Sequence, residues 1–337
     1  MAYQVTLQPS GHSFSVASNA TILEAALDAG FNLPYGCKNG ACGACKGKLL
    51  DGQVDYGATQ NSALTAEERS AGMALFCCAK PLSDLTLEVR EIGLARDIPV
   101  KILPCRVQKL ERVAADVMVI SLKLPANERL QFLAGQYIEF LLPDNKRRAF
   151  SLASAPHADE LLEIHVRRVP GGNFTEHVFT TMKEKDIMRI EGPLGSFFLR
   201  EDSTKPLIMV AGGTGFAPIK GLIEHALHIG ITRPLALYWG AKDRAGLYLN
   251  ALAERWASEH PHITYTPVLS EPADGDAWTG RTGLIHEAVM ADYPDFSAYQ
   301  TYVCGAPVMC EAALRDFTAR GLPKDEFFAD VFSYAPK

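Results

Sequence analysis

Cys37, Cys42 and Cys45 are spaced C-x4-C-x2-C within PYGCKNGACGAC, and LFCCAKP supplies two further thiols downstream, Cys77 and Cys78. Three thiolates from one loop and a fourth from a distant segment is the spacing that holds a [2Fe–2S] cluster, a centre that moves single electrons. Gly36, Gly40, Ala41, Gly43 and Ala44 matter as much as the thiols. Tiny side chains let backbone N–H groups approach anionic sulfur, which stabilises the negative charge and tunes the potential. A zinc site more often pairs two CxxC knuckles, and only Cys42 and Cys45 form one here. Cys105, Cys304 and Cys310 are too scattered to join the set.

A second group of residues suits dinucleotides. PLIMVAGGTGFAPIKGLIEHAL reads as strand, glycine turn and helix, the context of a phosphate cradle. Gly212, Gly213, Thr214 and Gly215 form the turn, and Pro218 suits the first turn of the helix. GGTGFAP is not the GxGxxG fingerprint, and a plain strand–helix turn is the competing reading. VCGAPVMCEAAL repeats the logic near the end of the chain, although Cys304 taken alone reads as a buried strand cysteine. Upstream, Arg148 and Phe150 in RRAFS share one face of a strand, so a guanidinium could grip a pyrophosphate beside an aromatic plane that packs on a flavin. A solvated strand edge would look similar. GGNFTEHVF leads glycines into a helix whose N-terminal amides could hold the same pyrophosphate, with an ordinary turn as the alternative.

These residues need three kinds of scaffold. Residues 1–92 read as a compact mixed unit: YQVTL and HSFSV alternate as strands, TILEAALDAG is a helix with a Thr21/Glu24 capping box and Gly30 as its stop, and a second helix starts at Thr65 with Glu68 in the equivalent place. With LTLEV closing it, this unit has the pattern of a β-grasp ferredoxin. Residues 93–103 read as a linker. Residues 104–203 carry short strands at close intervals (CRVQKLERV, VMVISLKL, QYIEFLL, RAFSLAS, LLEIHVRRV), which predicts an antiparallel β-barrel. From 204 to 337 apolar strands alternate with helices at Phe216–Ile229, Leu247–Ser258 and Val308–Arg320, the signature of a parallel-sheet α/β domain. The chain of 337 residues, 47% hydrophobic and 21% charged, can bury several such cores. Its first residues lack a signal-peptide pattern and no apolar run reaches membrane-spanning length, so a cytoplasmic protein in a reducing compartment is expected. A net charge of −6 gives no reason to expect a nucleic-acid partner.

The order of cysteine-rich unit, RxFS barrel and GGTGFAP domain resembles the iron–sulfur flavoprotein reductases of the ferredoxin–NADP reductase superfamily, which include the reductase components of bacterial ring-hydroxylating and methane-type oxygenases. The resemblance covers essentially the whole chain. HVRRVPGGNFTEHVF, GPLGSFFLREDS, YWGA, CGAPVM and DEFFADVF resemble the branch named for CDP-6-deoxy-3,4-glucoseen reduction, but these motifs describe the shared electron path and none touches a sugar. The LxCxAxP pattern of such ferredoxin domains implies Cys77 as the fourth ligand, with Cys78 as a neighbouring thiol. By the same resemblance Arg148 is the pyrophosphate-binding arginine, Ser151 the hydroxyl near flavin N5, and Phe150 a replacement for the usual tyrosine of RxYS. His165, Val166 and Arg167 correspond to the strand whose backbone lines the isoalloxazine and its tail, and Gly172 with Thr175 to the helix start on the pyrophosphate. Cys304, Gly305, Pro307 and Met309 correspond to the segment that meets the nicotinamide, and Phe332 to the residue covering the flavin. FAD is implied in preference to FMN.

Glu271 stands where relatives that use NADP tend to carry arginine, while Lys242, Asp243 and Arg244 mix both signs nearby, so NADH is expected rather than NADPH. The resulting expectation is a path from NADH through FAD and the [2Fe–2S] cluster to a partner protein such as an oxygenase or dehydrase component. Direct reduction of free flavin, ferric complexes or quinones is one alternative, a redox-sensing subunit is another, and a zinc-stabilised structural module is a third.

Overall fold

The computed structural model describes residues 2–89, 91, 98–273, 275 and 277–332, without the side chain of residue 144. Part of the expected linker, 93–97, lies outside them. The chain divides into two compact units. Of the described residues, one holds those up to 99 with Gly195–Phe197, Val331 and Phe332; the other holds those of Val100–Leu194 and Phe198–Asp330.

In the first unit β1 (Ala2–Gln8), β2 (Ser13–Ala17), α1 (Ile22–Asp28), β3 (Lys46–Asp51), β4 (Val54–Asp55), α2 (Ala66–Ser70), β5 (Met73–Leu75), β6 (Lys80–Pro81) and β7 (Leu85–Glu88) follow in order. The main sheet runs β2-β1-β7-β3-β5, with β1 parallel to β7 and antiparallel to β2, and β4 pairs with β6. This is the β-grasp arrangement that the alternating strands predicted. Both capping boxes form: Thr21 accepts from the Glu24 amide and Thr65 from the Glu68 amide, each glutamate reaching back to the cap amide. Gly30 stops α1 at φ +81°, a left-handed conformation that suits glycine. Val5, Leu7, Ile22, Leu33, Phe76 and Leu87 are buried between helix and sheet.

The second unit begins with β8 (Lys101–Ala114), which starts inside the stretch read as linker because Lys101, Ile102 and Leu103 pair with Gly192, Glu191 and Ile190. It continues through β9 (Val117–Lys123), β10 (Tyr137–Leu141), β11 (Arg147–Ser151), β12 (Leu162–Arg167), α3 (Asn173–Thr180) and β13 (Ile187–Leu194). The strands order β11-β10-β13-β8-β9-β12, every pair antiparallel, and a bridge between Leu152 and Ile164 joins the two ends into a barrel. Ile120, Phe140, Leu152 and Ile164 fill its interior.

The same unit then builds β14 (Leu207–Gly212), α4 (Phe216–His228), β15 (Leu235–Ala241), α5 (Asn250–Glu259), β16 (Ile263–Leu269), β17 (Arg281–Thr282), α6 (Ile285–Asp292), β18 (Gln300–Gly305), α7 (Pro307–Ala319) and β19 (Phe327–Val331). The sheet order is β17-β16-β15-β14-β18-β19, with β14, β15, β16, β17 and β18 parallel to their neighbours. Barrel and parallel sheet lie in one compact unit, in which α4 packs against the barrel. Gly221 makes this possible, since a Cβ there would stand 3.1 Å from the Ser154 carbonyl oxygen and 3.2 Å from that of Leu152. No helix among the described residues is long and apolar enough to cross a membrane.

Candidate functional site

The cysteine loop sorts its thiols into two pairs. The Cys37 amide donates to Cys42 Sγ at 3.3 Å, and the Cys77 amide donates to Cys45 Sγ at 3.4 Å. Cys45 and Cys77 are buried, whereas Cys37 and Cys42 are half-buried. Among the described residues no three His, Cys, Asp or Glu side chains converge on a single-ion site. Two thiol pairs fit a centre with two irons, each taking two protein sulfurs, better than one tetrahedral zinc.

The backbone around the loop suits bound anionic sulfur. The Ala41 amide donates to Cys37 Sγ at 3.3 Å. The Cys42 thiol, together with the amides of Asn39, Ala41 and Cys42, holds the Cys37 thiol down at about 6, although burial opposes this. Gly40 has φ +75°, and a Cβ there would stand 2.7 Å from the Ala58 carbonyl oxygen and 2.8 Å from Cys78 Sγ. Cys78 lies 3.7 Å from Cys77, sulfur to sulfur, and is half-buried.

The two glycine motifs of the second unit meet. β14 and β18 are adjacent, with Ala211 opposite Cys304, and the chain builds outward from β14 to β17 on one side before crossing to β18 on the other. That reversal of direction is the topological switch point, where open α/β sheets bind ligands beyond the carboxyl ends of their strands. The Gly213–Gly215 turn and the start of α7 both sit at those ends. A Cβ on Gly215 would lie 2.1 Å from the Cys304 carbonyl oxygen, and one on Gly212 would lie 2.6 Å from Met309 Sδ. Gly305 has φ +153° and its missing Cβ leaves room for Met309 Cε. Thr214 is buried, Pro218 lies in the first turn of α4, and Pro307 opens α7.

On the barrel side Arg148 and Phe150 share a face of β11, as alternation required. Phe150 packs on Phe174 of α3 with ring centroids 5.3 Å apart, which joins RRAFS to GGNFTEHVF. Gly172 caps α3, while Thr175 Oγ1 is occupied within its own loop, accepting from the Val169 amide at 3.1 Å. Val166 is buried in the barrel core, and the neighbouring side chains of β12 leave the barrel. The Arg167 guanidinium carbon is 3.2 Å from where a Gly213 Cβ would stand, its Nε is 3.6 Å from Asp116, and two of its buried nitrogens have no hydrogen-bond partner. A guanidinium over a glycine turn at a helix N-terminus is suited to a phosphate.

His165 is fully buried and points at the nucleotide half of the unit. Its Nδ1 lies 2.8 Å from the Tyr248 hydroxyl and its Nε2 3.0 Å from Glu163 Oε1. Lys220 of α4 stands 3.2 Å from Glu163 and 2.9 Å from Glu224. The resemblance assigned His165 for its backbone; the structure gives its side chain these contacts.

Ser151 ends β11 and donates to Asp330 Oδ2 at 2.5 Å, while Cys304 Sγ is 3.8 Å from the same oxygen. Three strands, β11, β18 and β19, thus deliver a hydroxyl, a thiol and a carboxylate to one place. Burial pushes the Cys304 thiol well up, so it stays protonated. Asp330 was missed in the sequence, although it stands two residues before the quoted Phe332 in FFADVF. Phe332 follows β19 directly and is half-buried. At the ends of β15 and β16, Lys242 and Glu271 form an exposed ion pair at 3.2 Å, and the Glu271 amide donates to the Lys242 carbonyl.

Three family models match the chain: a 2Fe-2S iron–sulfur cluster binding domain over residues 5–82, an oxidoreductase FAD-binding domain over 104–199, and an oxidoreductase NAD-binding domain over 209–315. The chain is 41% identical over 332 residues to the CDP-6-deoxy-L-threo-D-glycero-4-hexulose-3-dehydrase reductase of Yersinia pseudotuberculosis, covering 98% of this chain and 99% of the relative. It is 36% identical to the reductase component of phenol 2-monooxygenase from Pseudomonas sp. strain CF600, covering 98% and 95%. Among solved structures, the Amycolatopsis cytochrome P450 reductase GcoB superposes with a TM-score of 0.79 at 34% identity, covering 98% of each chain.

Proposed function

We propose that this chain, which belongs to the iron–sulfur flavoprotein NAD(P)H reductases, draws electrons from NADH and delivers them one at a time to a separate dehydrase or oxygenase protein. Relatives carrying both partner names match almost end to end, which supports an acceptor of that class. The observation that carries the reading is the meeting of Ser151, Cys304 and Asp330, where a barrel strand reaches the switch point of the parallel sheet. When bound, NADH, FAD and the [2Fe–2S] cluster supply the redox chemistry, with the flavin converting an electron pair into single electrons.

The chain's own residues hold and orient these groups. Cys37, Cys42, Cys45 and Cys77 take the irons. Arg148 and the α3 start at Gly172 take the FAD pyrophosphate, while Phe150 and β12 flank its ring. The Gly212–Gly215 turn, Pro218 and the Gly305–Met309 segment receive the nicotinamide nucleotide, and the Arg167 guanidinium adds positive charge at that turn. Ser151 offers a hydroxyl at the reacting edge, held by Asp330, and Cys304 packs beside it. Glu271, paired with Lys242, disfavours a 2′-phosphate and selects NADH. The division into 1–92, 104–203 and 204–337 belongs to this proposal, supported by the three family-model ranges.

The experiment compares wild type with a Cys77→Ala variant. Both should reduce ferricyanide with NADH, and only wild type should reduce cytochrome c or support the partner enzyme at full rate. Equal rates for the two proteins with a protein acceptor would contradict a cluster-mediated exit and favour direct reduction from the flavin.

A further inference from the structure

We propose that the buried hydrogen bond between His165 and Tyr248 holds the nicotinamide-nucleotide turn in register with the flavin strand, making both side chains positioning residues for hydride transfer. This rests on the assignment above of β12 to the flavin and of Gly212–Gly215 to the nucleotide.

The contacts run without a break from barrel to turn. His165 projects from β12 and Tyr248 from the loop before α5. The Tyr248 ring stands edge-on to Trp239, with centroids 5.2 Å apart at 88°. Trp239 is stacked on Phe216, the first residue of α4, at 3.8 Å and 5°, and its indole N–H donates to the Gly213 carbonyl at 2.9 Å. The carbonyl of the turn's second glycine is therefore fixed by a ring that Tyr248 braces. Burial of Trp239, Phe216 and His165 leaves little slack for the chain to absorb a displacement.

The protonation states agree with one hydrogen-bond pattern. Burial raises the Glu163 carboxyl, but the His165 hydrogen bond and the Lys220 charge outweigh it and hold the group at about 2, so it is a carboxylate that only accepts. His165 Nε2 must donate to it. Burial lowers the imidazole despite that carboxylate, which keeps the ring neutral and leaves Nδ1 as an acceptor. Burial also raises the Tyr248 phenol well above its ordinary value, so the hydroxyl keeps its proton and donates to Nδ1. Each donor has one acceptor, and a polar chain satisfied in this way is rigid. Lys220, from the helix that begins at the turn, clamps the far end by donating to the Ala153 carbonyl at 3.2 Å.

Positioning matters here because a displacement of about 1 Å can cost about 10²-fold in rate. The test is anaerobic stopped-flow reduction of the intact, FAD-loaded protein by NADH in wild type, Tyr248→Phe, His165→Leu and His165→Asn. The asparagine carboxamide can place an acceptor near the position of Nδ1. The limiting rate of flavin reduction should fall about 10- to 100-fold in Tyr248→Phe and His165→Leu, and recover to within about threefold of wild type in His165→Asn. FAD content, the oxidised flavin spectrum and reduction by dithionite should stay native. A native limiting rate in Tyr248→Phe would overturn the inference, as would a slowed rate accompanied by equal loss of FAD or no recovery in His165→Asn. Wild-type protein that NADH fails to reduce would instead overturn the functional reading beneath it.

Discussion

Gly215→Ala tests whether the two glycine motifs work as one cradle. Its backbone angles are ordinary for helix, φ −57° and ψ −13°, so alanine adds no conformational strain there. The new Cβ would stand 2.1 Å from the Cys304 carbonyl oxygen and 2.6 Å from its carbon. Because real contacts of this kind essentially never fall below 3.0 Å, the turn and the end of β18 must separate by about 0.9 Å at least. Both contact atoms are backbone atoms of Cys304 in β18, and no flexible side chain can give way. Overpacking of this sort costs about 1–3 kcal/mol of stability. A shift of that size between the segments proposed to present the nicotinamide should lower hydride-transfer rates by about 10- to 100-fold. The assay is stopped-flow reduction by NADH, with FAD and iron content measured on the same sample. The expected result is slowed flavin reduction in protein that still carries FAD and its cluster. Reduction at the wild-type rate would refute the argument that these turns jointly set the nicotinamide's position.

Cys77→Ala should abolish stoichiometric iron and labile sulfide, whereas Cys78→Ala should retain both; loss of iron in the second variant with retention in the first would reverse the ligand assignment. Glu271→Arg should swing the ratio of kcat/KM for NADH over NADPH towards NADPH by about tenfold, the effect of about 1.4 kcal/mol, and an unchanged ratio in steady-state assays would remove Glu271 from cofactor choice. Glu163 is held at about 2 against an ordinary 4.5, so its contribution is fully present above pH 4.5 and is lost as pH falls towards 2. That amounts to about 3 kcal/mol, and Glu163→Gln should flatten the acid limb of stability between those pH values, as followed by urea unfolding.

Local signals carried much of the fold. Thr21 with Glu24 and Thr65 with Glu68 announced both helix starts of the first unit, because a capping box is a contact between near neighbours in sequence. The expected helices at Phe216–Ile229, Leu247–Ser258 and Val308–Arg320 are found at Phe216–His228, Asn250–Glu259 and Pro307–Ala319, with ends shifted by at most three residues. The terminal FFADV forms strand β19. Short elements such as α6 and β17 were passed over because neither carries a strong period or cap.

The site was legible where glycine or cysteine spacing encodes it. It was illegible where distant residues meet. Asp330 reaches Ser151 across 179 positions of chain, and Tyr248 reaches His165 across 83. Neither aspartate nor tyrosine is unusual in its local sequence, so only the closed barrel and the sheet packed on it reveal them. The packing of α4 on the barrel was illegible for the same reason: Gly221 looks like an ordinary helical glycine until α4 is seen against the barrel carbonyls.

The proposed path takes NADH electrons to a cluster held by Cys37, Cys42, Cys45 and Cys77. Anaerobic titration of the purified protein with NADH alone, followed by low-temperature electron paramagnetic resonance and by iron, sulfide and FAD analysis, tests it most directly. Two irons and two labile sulfides are expected for each FAD, with a reduced [2Fe–2S] signal that develops without any other reductant. A flavin that bleaches while the cluster stays oxidised under excess NADH would contradict it, as would protein without iron.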